Sequence, residues 1–309
     1  MRTRPFLPLI AGLFLAQMVL IASSVKHDLG NPVAVDRASD SSVYVLSADR
    51  YIRRFDISGE QITLKGQFPV TGTPVDFTYS RSGQVESLFV CSINFGKGVI
   101  SRYSTDGNLM KSWWLWHPCG GVDYDPDLQI LYFGTTDTRE IYRIDLKTDT
   151  SPESLSQLPQ MQKMGPIALD STGKVLYIGD IAGGVLFEFD IANRSVRTLI
   201  SGLGAVAALY ADPNSQALYI VDSVARTVLL TKLGPPPQGQ QASTQAKSQK
   251  PTQKGKFANI PTQVVTHAPE LRSPSGVVPL DNGRYLVSDY GANALFLVSA
   301  NGKVSSRFP

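Results

Sequence analysis

Leu218-Tyr219-Ile220 is one of six short apolar stretches that recur along the chain with a tyrosine, or a residue standing in its place, at the centre. The other five are Val43-Tyr44-Val45, Leu88-Phe89-Val90, Leu131-Tyr132-Phe133, Leu176-Tyr177-Ile178 and Tyr285-Leu286-Val287. We call these six stretches the anchors. Their central residues are 45, 43, 45, 42 and 67 positions apart. A β-propeller blade of several short strands has a period of this size, so the spacing predicts one blade for each anchor.

Further strands surround each anchor. The strands that precede it are Pro32-Val33-Ala34-Val35-Asp36, Pro74-Val75-Asp76-Phe77, Gly121-Val122-Asp123-Tyr124, Pro166-Ile167-Ala168-Leu169-Asp170, Val206-Ala207-Ala208-Leu209-Tyr210 and Gly276-Val277-Val278-Pro279-Leu280. A third, alternating strand follows each anchor, and turn residues such as Gly59 and Asn193 separate it from a more variable fourth strand. Six repeats of four strands predict an all-β fold, a six-bladed β-propeller whose innermost strands are those before the anchors.

The repeats resemble those of the NHL-repeat family, whose blades read P-x-G-V-A-V-D, then L-Y-V-A-D-S, then a polar-apolar run ending in F-D. The most similar copies are Leu218-Tyr219-Ile220-Val221-Asp222-Ser223, Leu176-Tyr177-Ile178-Gly179-Asp180 and Tyr285-Leu286-Val287-Ser288-Asp289. The YWTD and gluconolactonase-like propellers are less similar, because the Trp of the first and the early Glu-Gly-Pro of the second are missing. The resemblance implies a single propeller over residues 25–309, and it implies no one activity.

The N-terminus has the three parts of a signal peptide. Arg2 and Arg4 supply positive charge, residues 6–21 are apolar and uncharged, and residues 22–24 are small. We therefore predict that residues 1–24 direct export and that the protein is secreted, periplasmic or extracellular. An uncleaved signal anchor is the alternative, although this apolar stretch is short for a membrane span.

The long gap between the fifth and sixth anchors predicts an insertion in blade 5. Residues 234–256 are rich in Pro, Gln, Ser and Lys, contain no aromatic residue, and are predicted to be a disordered loop between the third and fourth strands of that blade. Four lysines of this segment, with no acid, account for the formal net charge of +3. The fold itself therefore lacks the basic surface that nucleic acid requires, and we predict no nucleic-acid partner. Contact with a membrane is expected only through an uncleaved signal segment or, weakly, through this loop.

No common catalytic motif occurs in the chain, so histidines offer the main chance of chemistry. His27, His117 and His267 each precede an inner strand, and all three loops should emerge on one face. Three imidazoles there could bind zinc in a catalytic site, and carboxylates near the channel could bind calcium. Peptide-amidating lyase, which is similar to an NHL propeller, uses histidines around its channel. We nevertheless favour ordinary loop histidines and predict no cofactor.

The tryptophans and cysteines each leave two interpretations open. Alternation in Ser112-Trp113-Trp114-Leu115-Trp116-His117, taken as the outer strand of blade 2, places Trp113 and Leu115 on one side and Trp114 and Trp116 on the other. We favour packing between blades 2 and 3, and the alternative is a stacking platform for a ligand. Cys91 and Cys119 lie in neighbouring blades; we favour two buried free thiols over a disulfide.

The repeated acid that ends the anchor motif invites a catalytic interpretation at Asp180, Asp222 and Asp289. An Asp at one register of several blades more simply accepts hydrogen bonds from the backbone of the following turn, so we predict a structural role.

The predicted function is that of an exported binding or scaffold module, a monomer that recognises a protein or a small ligand. The ligand is expected on the face that carries the loops before the inner strands. Candidate ligand-binding residues, chosen by loop position, are Asn31, Trp116, His117, His267 and Arg272. The alternative is a metal-dependent lyase or lactonase with its site at the channel mouth.

Ring closure can also be predicted. Blade 1 begins with its own inner strand and blade 6 ends with its own outer strand, so we expect packing between these blades, without a strand exchange, to close the ring.

Overall fold

A computed structural model describes residues 28–233 and 260–309, and these form six four-stranded antiparallel sheets arranged as the blades of a propeller. The strands of each sheet follow one another in chain order from the innermost to the outermost. The prediction of an all-β, six-bladed propeller with four-stranded blades is confirmed.

The strands of blades 1 to 3 each come from one continuous piece of chain. Blade 1 contains β1 (Pro32–Ser39), β2 (Ser42–Ser47), β3 (Tyr51–Ser58) and β4 (Gln61–Pro69). Blade 2 contains β5 (Thr73–Ser82), β6 (Val85–Asn94), β7 (Lys97–Ser104) and β8 (Leu109–Trp114). Blade 3 contains β9 (Cys119–Asp125), β10 (Ile130–Thr135), β11 (Glu140–Asp145) and β12 (Glu153–Gln157).

The other three blades repeat this order. Blade 4 contains β13 (Met164–Leu169), β14 (Val175–Asp180), β15 (Val185–Asp190) and β16 (Ser195–Ser201). Blade 5 contains β17 (Val206–Asp212), β18 (Ala217–Asp222), β19 (Thr227–Lys232) and β20 (Thr262–Thr266). Blade 6 contains β21 (Pro274–Pro279), β22 (Tyr285–Asp289), β23 (Ala294–Val298) and β24 (Val304–Phe308), with a short 3-10 helix, Asp281–Gly283, between its first two strands.

The anchors are the second strands and form the hydrophobic core. Tyr44 and Tyr132, at the centres of two of them, are almost fully buried. Both faces of a blade are covered by neighbouring blades, which is why the anchors read as continuous apolar runs rather than alternating ones. The fourth strands are exposed along much of their length, as their variable sequence indicates.

Two predicted segments lie outside the described residues: the signal peptide at 1–24 and the loop at 234–256. The strands predicted on either side of the loop are present as β19 and β20. The predicted outer strand of blade 2 is corrected, because β8 ends at Trp114 and does not extend to His117. Within residues 28–233 and 260–309, no helix is long and apolar enough to cross a membrane.

Blades 2 and 3 are joined by a disulfide between Cys91 and Cys119, so the preference for free thiols was wrong. Cys91 lies in the second strand of blade 2 and Cys119 begins the inner strand of blade 3, with 6.0 Å between their Cα atoms. This separation suits a disulfide, and the sequence could not supply it because it depends on how closely two blades pack.

The meander in each blade gives the disc two distinct faces. The upper face carries the loops before the inner strands and the turns between second and third strands. The lower face carries the turns that join first to second strands and third to fourth strands. The side chains of the upper-face loops and the lower mouth of the channel are therefore on opposite sides of the disc.

Among residues 28–233 and 260–309 the first and last blades meet through side-chain contacts, as the sequence predicts. β1 and β24 belong to separate sheets. The backbone N–H of Asn31 donates to Oδ1 of Asn293 (2.7 Å), and Nδ2 of Asn31 donates to the carbonyl of Tyr290 (2.9 Å). Oγ of Ser275 donates to the carbonyl of Pro32 (2.7 Å). These hydrogen bonds connect blades 1 and 6 in addition to apolar packing.

Candidate ligand site in the central channel

A cavity of about 530 Å³ occupies the central channel and is lined by the inner strands of all six blades. Its lining continues into lower-face turns, which contribute Pro126, Asp127 and Leu128 from blade 3 and Ser171 and Thr172 from blade 4. None of its lining residues belongs to the loops of the upper face. The cavity is therefore approached from the lower face, and its volume is in the range of small-molecule sites.

The inner strands place one residue each at an equivalent register, opposite the central residue of the anchor. Blades 1 to 3 carry polar side chains at this level, whereas blades 4 to 6 carry apolar or aromatic ones. In blade order the six residues are Asp36, Thr78, Asp123, Ala168, Tyr210 and Val278. The channel is thus polar on one half of its circumference and largely apolar on the other.

Asp36 and Asp123 approach a single hydroxyl group from two sides. Oγ1 of Thr78 lies 3.3 Å from Oδ2 of Asp36 and 3.0 Å from Oδ1 of Asp123. Each acid also reaches the next blade, since Asp36 accepts from the backbone N–H of Tyr79 (2.6 Å) and Asp123 accepts from that of Leu169 (2.7 Å). The Thr78 hydroxyl can donate its single proton to only one of these two carboxylates at a time. The other carboxylate therefore keeps an oxygen that can accept a further hydrogen bond.

Asp76 repeats this arrangement one level nearer the upper face. Its Oδ1 accepts from the backbone N–H of Phe77 (2.9 Å), and its Oδ2 accepts from that of Val122 in blade 3 (3.2 Å). Innermost strands have one edge without a partner strand, and the three acids provide acceptors along that edge. The three acids therefore have a structural role, because each of them joins its own blade to the next one between blades 1 and 4.

The acids hold protons to unusually high pH. Burial, which disfavours the charged form, raises the pKa of Asp36 to about 7, that of Asp76 to about 8 and that of Asp123 to about 6. Neighbouring carboxylates act in the same direction, while the backbone hydrogen bonds oppose the rise. The cluster therefore exchanges protons near neutral pH, a property concentrated at functional sites.

Arg37 lies in blade 1, beside blade 6, and Tyr210 extends into the channel from blade 5 in the apolar half. The guanidinium of Arg37 hydrogen-bonds the Tyr210 hydroxyl and donates to the carbonyl of Pro279 (3.1 Å). Burial raises the pKa of Tyr210, and the charge of Asp36 adds to that rise. A phenol that keeps its proton and a guanidinium both remain available as hydrogen-bond donors here.

The predicted ligand residues lie on the other face, in two separate groups. Trp116 and His117 follow β8 in the loop to blade 3; Trp116 is 83% exposed and His117 Nδ1 lies 3.0 Å from Oδ2 of Asp137. His267 and Arg272 lie in the loop to blade 6, where His267 Nδ1 is 2.9 Å from Oγ1 of Thr227. These loops are three blades apart and thus on opposite sides of the disc.

Asn31 is held in the junction between blades 1 and 6, where its side chain and backbone both form hydrogen bonds. The backbone N–H of Arg272 donates to Oδ2 of Asp289 (2.7 Å), so this loop is also fixed from within. His27 lies outside the described residues. Among those that are described, no group of three or more His, Cys, Asp or Glu side chains is arranged to hold a metal ion.

The tryptophan pattern divides as the alternation predicts. Trp113 and Leu115 are buried and pack with the disulfide between blades 2 and 3, which confirms the packing interpretation for that side. Trp114 and Trp116 are 59% and 83% exposed. The ligand platform proposed for the second side stays a prediction.

The anchor-end acids have the structural role expected of them. Asp180, Asp222 and Asp289 are buried, and each accepts from backbone N–H groups of the following turn. Each also accepts from two successive N–H groups in the loop before the inner strand of its own blade. One carboxylate thereby fixes two upper-face loops at once.

Asp36, Asp76 and Asp123 were missed as site residues, although the sequence contained a signal. All three interrupt strands that are otherwise apolar, at positions quoted above as inner strands. Their shared location was hidden because the hairpin between the first and second strands differs in length from blade to blade, so distance along the sequence from the anchor does not give the level in the channel.

Comparison with known proteins supports the fold alone. No family model matches the chain, and no curated protein matches its sequence. A chain of the nidogen/laminin complex is similar in structure, with a TM-score of 0.64 and 14% identity over 87% of this chain and 92% of that chain. A functionally unknown protein from Desulfotomaculum acetoxidans has a TM-score of 0.61 and 10% identity over 90% of this chain and 85% of that chain.

Virginiamycin B lyase from Staphylococcus aureus is also similar, with a TM-score of 0.57 and 14% identity over 92% of this chain and 86% of that chain. At such identities a shared propeller says nothing about shared activity. The chain is therefore a six-bladed β-propeller whose fold occurs both in a lyase and in a protein of the nidogen/laminin complex.

Proposed function

We propose that the protein is an exported, NHL-like binding module that holds a small ligand in its central channel. The observation that carries this proposal is the 530 Å³ cavity, where the inner strands of blades 1 to 3 contribute Asp36, Asp76 and Asp123 and those of blades 4 to 6 contribute mainly apolar and aromatic side chains. A rigid ring with a two-sided wall is suited to recognition.

The chemistry of the wall favours a small amphipathic amine. The ammonium group of such a ligand would donate hydrogen bonds to the carboxylates of Asp36 and Asp123, which share only the one proton of the Thr78 hydroxyl. The apolar part of the ligand would lie against Ala168 and Leu209. Because an ammonium binds the ionised acids, the affinity should increase as the pH rises through their pKa values, which lie between about 6 and about 8.

The test is calorimetric titration with primary amines of increasing apolar length, each paired with its N-acetylated, neutral analogue. We expect the amines to bind, the analogues to bind more weakly, and Asp123→Asn to lose on the order of tenfold in affinity, as for a charged hydrogen bond. Asp106→Asn, an exposed acid on the lower face, is the matched control. Equal binding of amine and analogue, or no effect of Asp123→Asn, would reject this ligand class.

The sequence-based expectation of a ligand on the upper face is the competing location for the binding site. It predicts that binding of a protein or small ligand depends on Trp116 or Arg272 and is indifferent to Asp123. The same titrations with Trp116→Ala and Arg272→Ala separate the two locations, since the channel proposal predicts that these variants bind amines normally.

A lyase or lactonase remains the second candidate, and the pairing of His117 with Asp137 favours it. A carboxylate that orients an imidazole is the arrangement found in general bases. If His117 acts in this way, a screen of lactones and of ester-linked cyclic substrates should find turnover that His117→Gln abolishes. Metal analysis of the full chain, with His117→Ala and His267→Ala beside it, tests the zinc or calcium version.

Export is part of the proposal and has its own test. The chain expressed with its N-terminus intact should appear outside the cytoplasm and, if residues 1–24 are removed, should start near Val25 by N-terminal sequencing. Retention in the cytoplasm would remove this part without affecting the channel proposal.

A further inference from the structure

Three large apolar side chains project from the upper, outer corner of blade 2. Phe95 is 96% exposed, Trp116 is 83% exposed and Trp114 is 59% exposed. The residues around Trp116 are held beside the β6–β7 turn, since the N–H of Leu115 donates to the carbonyl of Gly98 (2.8 Å). Nζ of Lys97 lies 4.8 Å from the centre of the Trp116 ring. We call Phe95, Lys97, Trp114 and Trp116 the aromatic corner.

Phe95 is the most unusual member, because its backbone conformation is unfavourable for its side chain. It has φ +49° at the tip of the β6–β7 turn, where Asn or Gly normally occurs. The other ten described non-glycine residues with positive φ are all Asn, Asp, Gln or Arg. A phenylalanine here contributes no packing to the fold and costs about 1 kcal/mol of backbone strain. Its side chain is therefore better explained by contact with something outside the folded chain.

The aromatic corner is convex, which distinguishes it from a ligand pocket. Phe95 and Trp116 lie on a turn tip and in a loop that project from the disc, and none of the four residues lines the channel cavity. Exposed aromatic side chains beside a lysine are the combination found where proteins enter a lipid headgroup layer, with Trp rings at the interface and cations near the phosphates.

The charges of the upper face fit a membrane with anionic lipids. Arg50 and Arg226 lie in upper-face turns, and Lys97 lies in the aromatic corner. None of these three forms an ion pair within the described residues. Of the exposed acids on this face, Asp49 is paired with Arg53 and Asp137 with His117, while Asp28 and Glu270 have no ion pair within the described residues. Such basic groups are attracted to anionic headgroups.

The path of the chain points in the same direction. The described structure begins at Asp28, directly before the inner strand of blade 1, and therefore at the upper face. The uncharged apolar residues 6–21 precede this point by only a few residues. If residues 6–21 stay attached as a signal anchor, the chain that leaves them enters the propeller at the upper face.

From these observations we infer that the aromatic corner inserts into the interface of a lipid bilayer and orients the propeller with its upper face toward the membrane. The lower mouth of the channel then faces away from the bilayer. This inference does not depend on the proposed ligand, because it concerns a different surface.

The chain supplies its own probe for this inference, because all three of its tryptophans lie in or next to the aromatic corner. The experiment measures the tryptophan emission of the full chain on vesicles of phosphatidylcholine and phosphatidylglycerol, with and without bromine on the acyl chains. Brominated lipid quenches only a ring that enters the bilayer, so the measurement distinguishes insertion of the corner from attachment through residues 6–21 alone. We expect quenching in the wild type.

Phe95→Asn should abolish most of that quenching while leaving the turn at least as well formed, because Asn accepts the left-handed conformation. Lys97→Glu should weaken it in anionic vesicles but not in neutral ones. The matched control is Leu109→Asn, which removes an exposed leucine from the lower end of the same outer strand and should behave as wild type. Vesicle-bound protein with unquenched tryptophans, or equal quenching in Phe95→Asn, would overturn the inference.

Discussion

Asp76 shows how one side chain can both join two blades and make the fold sensitive to pH. Its carboxyl group keeps its proton up to a pKa of about 8 in the ring, whereas the unfolded chain releases that proton near its ordinary value of 3.8. Between these two values the folded state binds one more proton than the unfolded state. The contribution of Asp76 to stability is therefore complete in acid and declines as the pH rises toward about 8.

Replacing Asp76 by Asn should remove this pH dependence, since the amide does not ionise. The unfolding free energy of Asp76→Asn relative to wild type should improve between acidic and mildly alkaline pH by about 1.4 kcal/mol for each unit by which the folded pKa exceeds the unfolded one, although the amide loses a hydrogen bond at every pH. Urea denaturation across this range measures the difference. Asp106→Asn serves as the exposed control, and parallel curves for wild type and Asp76→Asn would contradict the assignment.

Asp289 is a buried acid whose carboxyl oxygens accept hydrogen bonds from three backbone N–H groups. It accepts from the N–H groups of Arg272, Ser273 and Ala292. Asp289→Ala leaves these donors without their acceptor and should lower the unfolding free energy by about 3 kcal/mol, with partial recovery in Asp289→Asn. Chemical denaturation at neutral pH checks this, with the exposed Glu60→Ala as control; a loss no greater than that of Glu60→Ala would count against it.

At the scale of elements, the Cys91–Cys119 disulfide is a covalent link between two blades, and its contribution to stability can be measured directly. It connects β6 to β9 across the junction of blades 2 and 3 and closes a loop with a sequence separation of 28 residues. Cross-linking a loop of this length restricts the unfolded chain, so removing it should cost about 3 kcal/mol. Cys91→Ala with Cys119→Ala should show this loss in thermal or urea unfolding.

Dithiothreitol provides the matching control for that experiment. It should lower the stability of wild type to about the level of the double variant and leave the double variant unchanged. If the reductant destabilises both proteins equally, the loss does not come from the disulfide.

The strands could be predicted because the pattern of apolar and polar residues in each strand reflects how deeply that strand is buried. Anchors such as Leu176-Tyr177-Ile178 are buried on both faces and read as apolar runs, and the turn residues between them are polar or glycine. The candidate site could not be predicted in the same way. The meeting of Asp36 with Asp123 depends on the radius of the ring and on the length of the hairpin that pairs each inner strand with its anchor, and no local pattern encodes the radius.

At the scale of the whole molecule, hydrogen bonds and packing join blades 1 and 6, and no described strand is exchanged between them. Asn31 carries two of these hydrogen bonds from a left-handed conformation, φ +58°. Asn31→Gly keeps that conformation but removes the side-chain bond to the Tyr290 carbonyl. We expect faster hydrogen exchange first in β1 and β21, before any other blade responds, because the blade 1 to blade 6 junction opens most easily.

Asn282→Gly offers a matched control for that prediction, since Asn282 also has φ +58° but lies exposed on the lower face of blade 6. Uniform acceleration in all blades of Asn31→Gly, or the same pattern in Asn282→Gly, would show that the junction is not the weakest part of the ring.

Because every blade is built from one uninterrupted piece of chain, the ring has no obligatory starting point. The five connections from an outer strand to the next inner strand contain between three and seven residues, apart from the chain ends themselves. A linker of similar length between Pro309 and Asp28 would supply the sixth, and new termini could then be opened between any two blades. Circular permutants with termini at these positions should fold to the same propeller. A duplication or deletion of one whole blade would likewise leave every remaining sheet with all four of its strands.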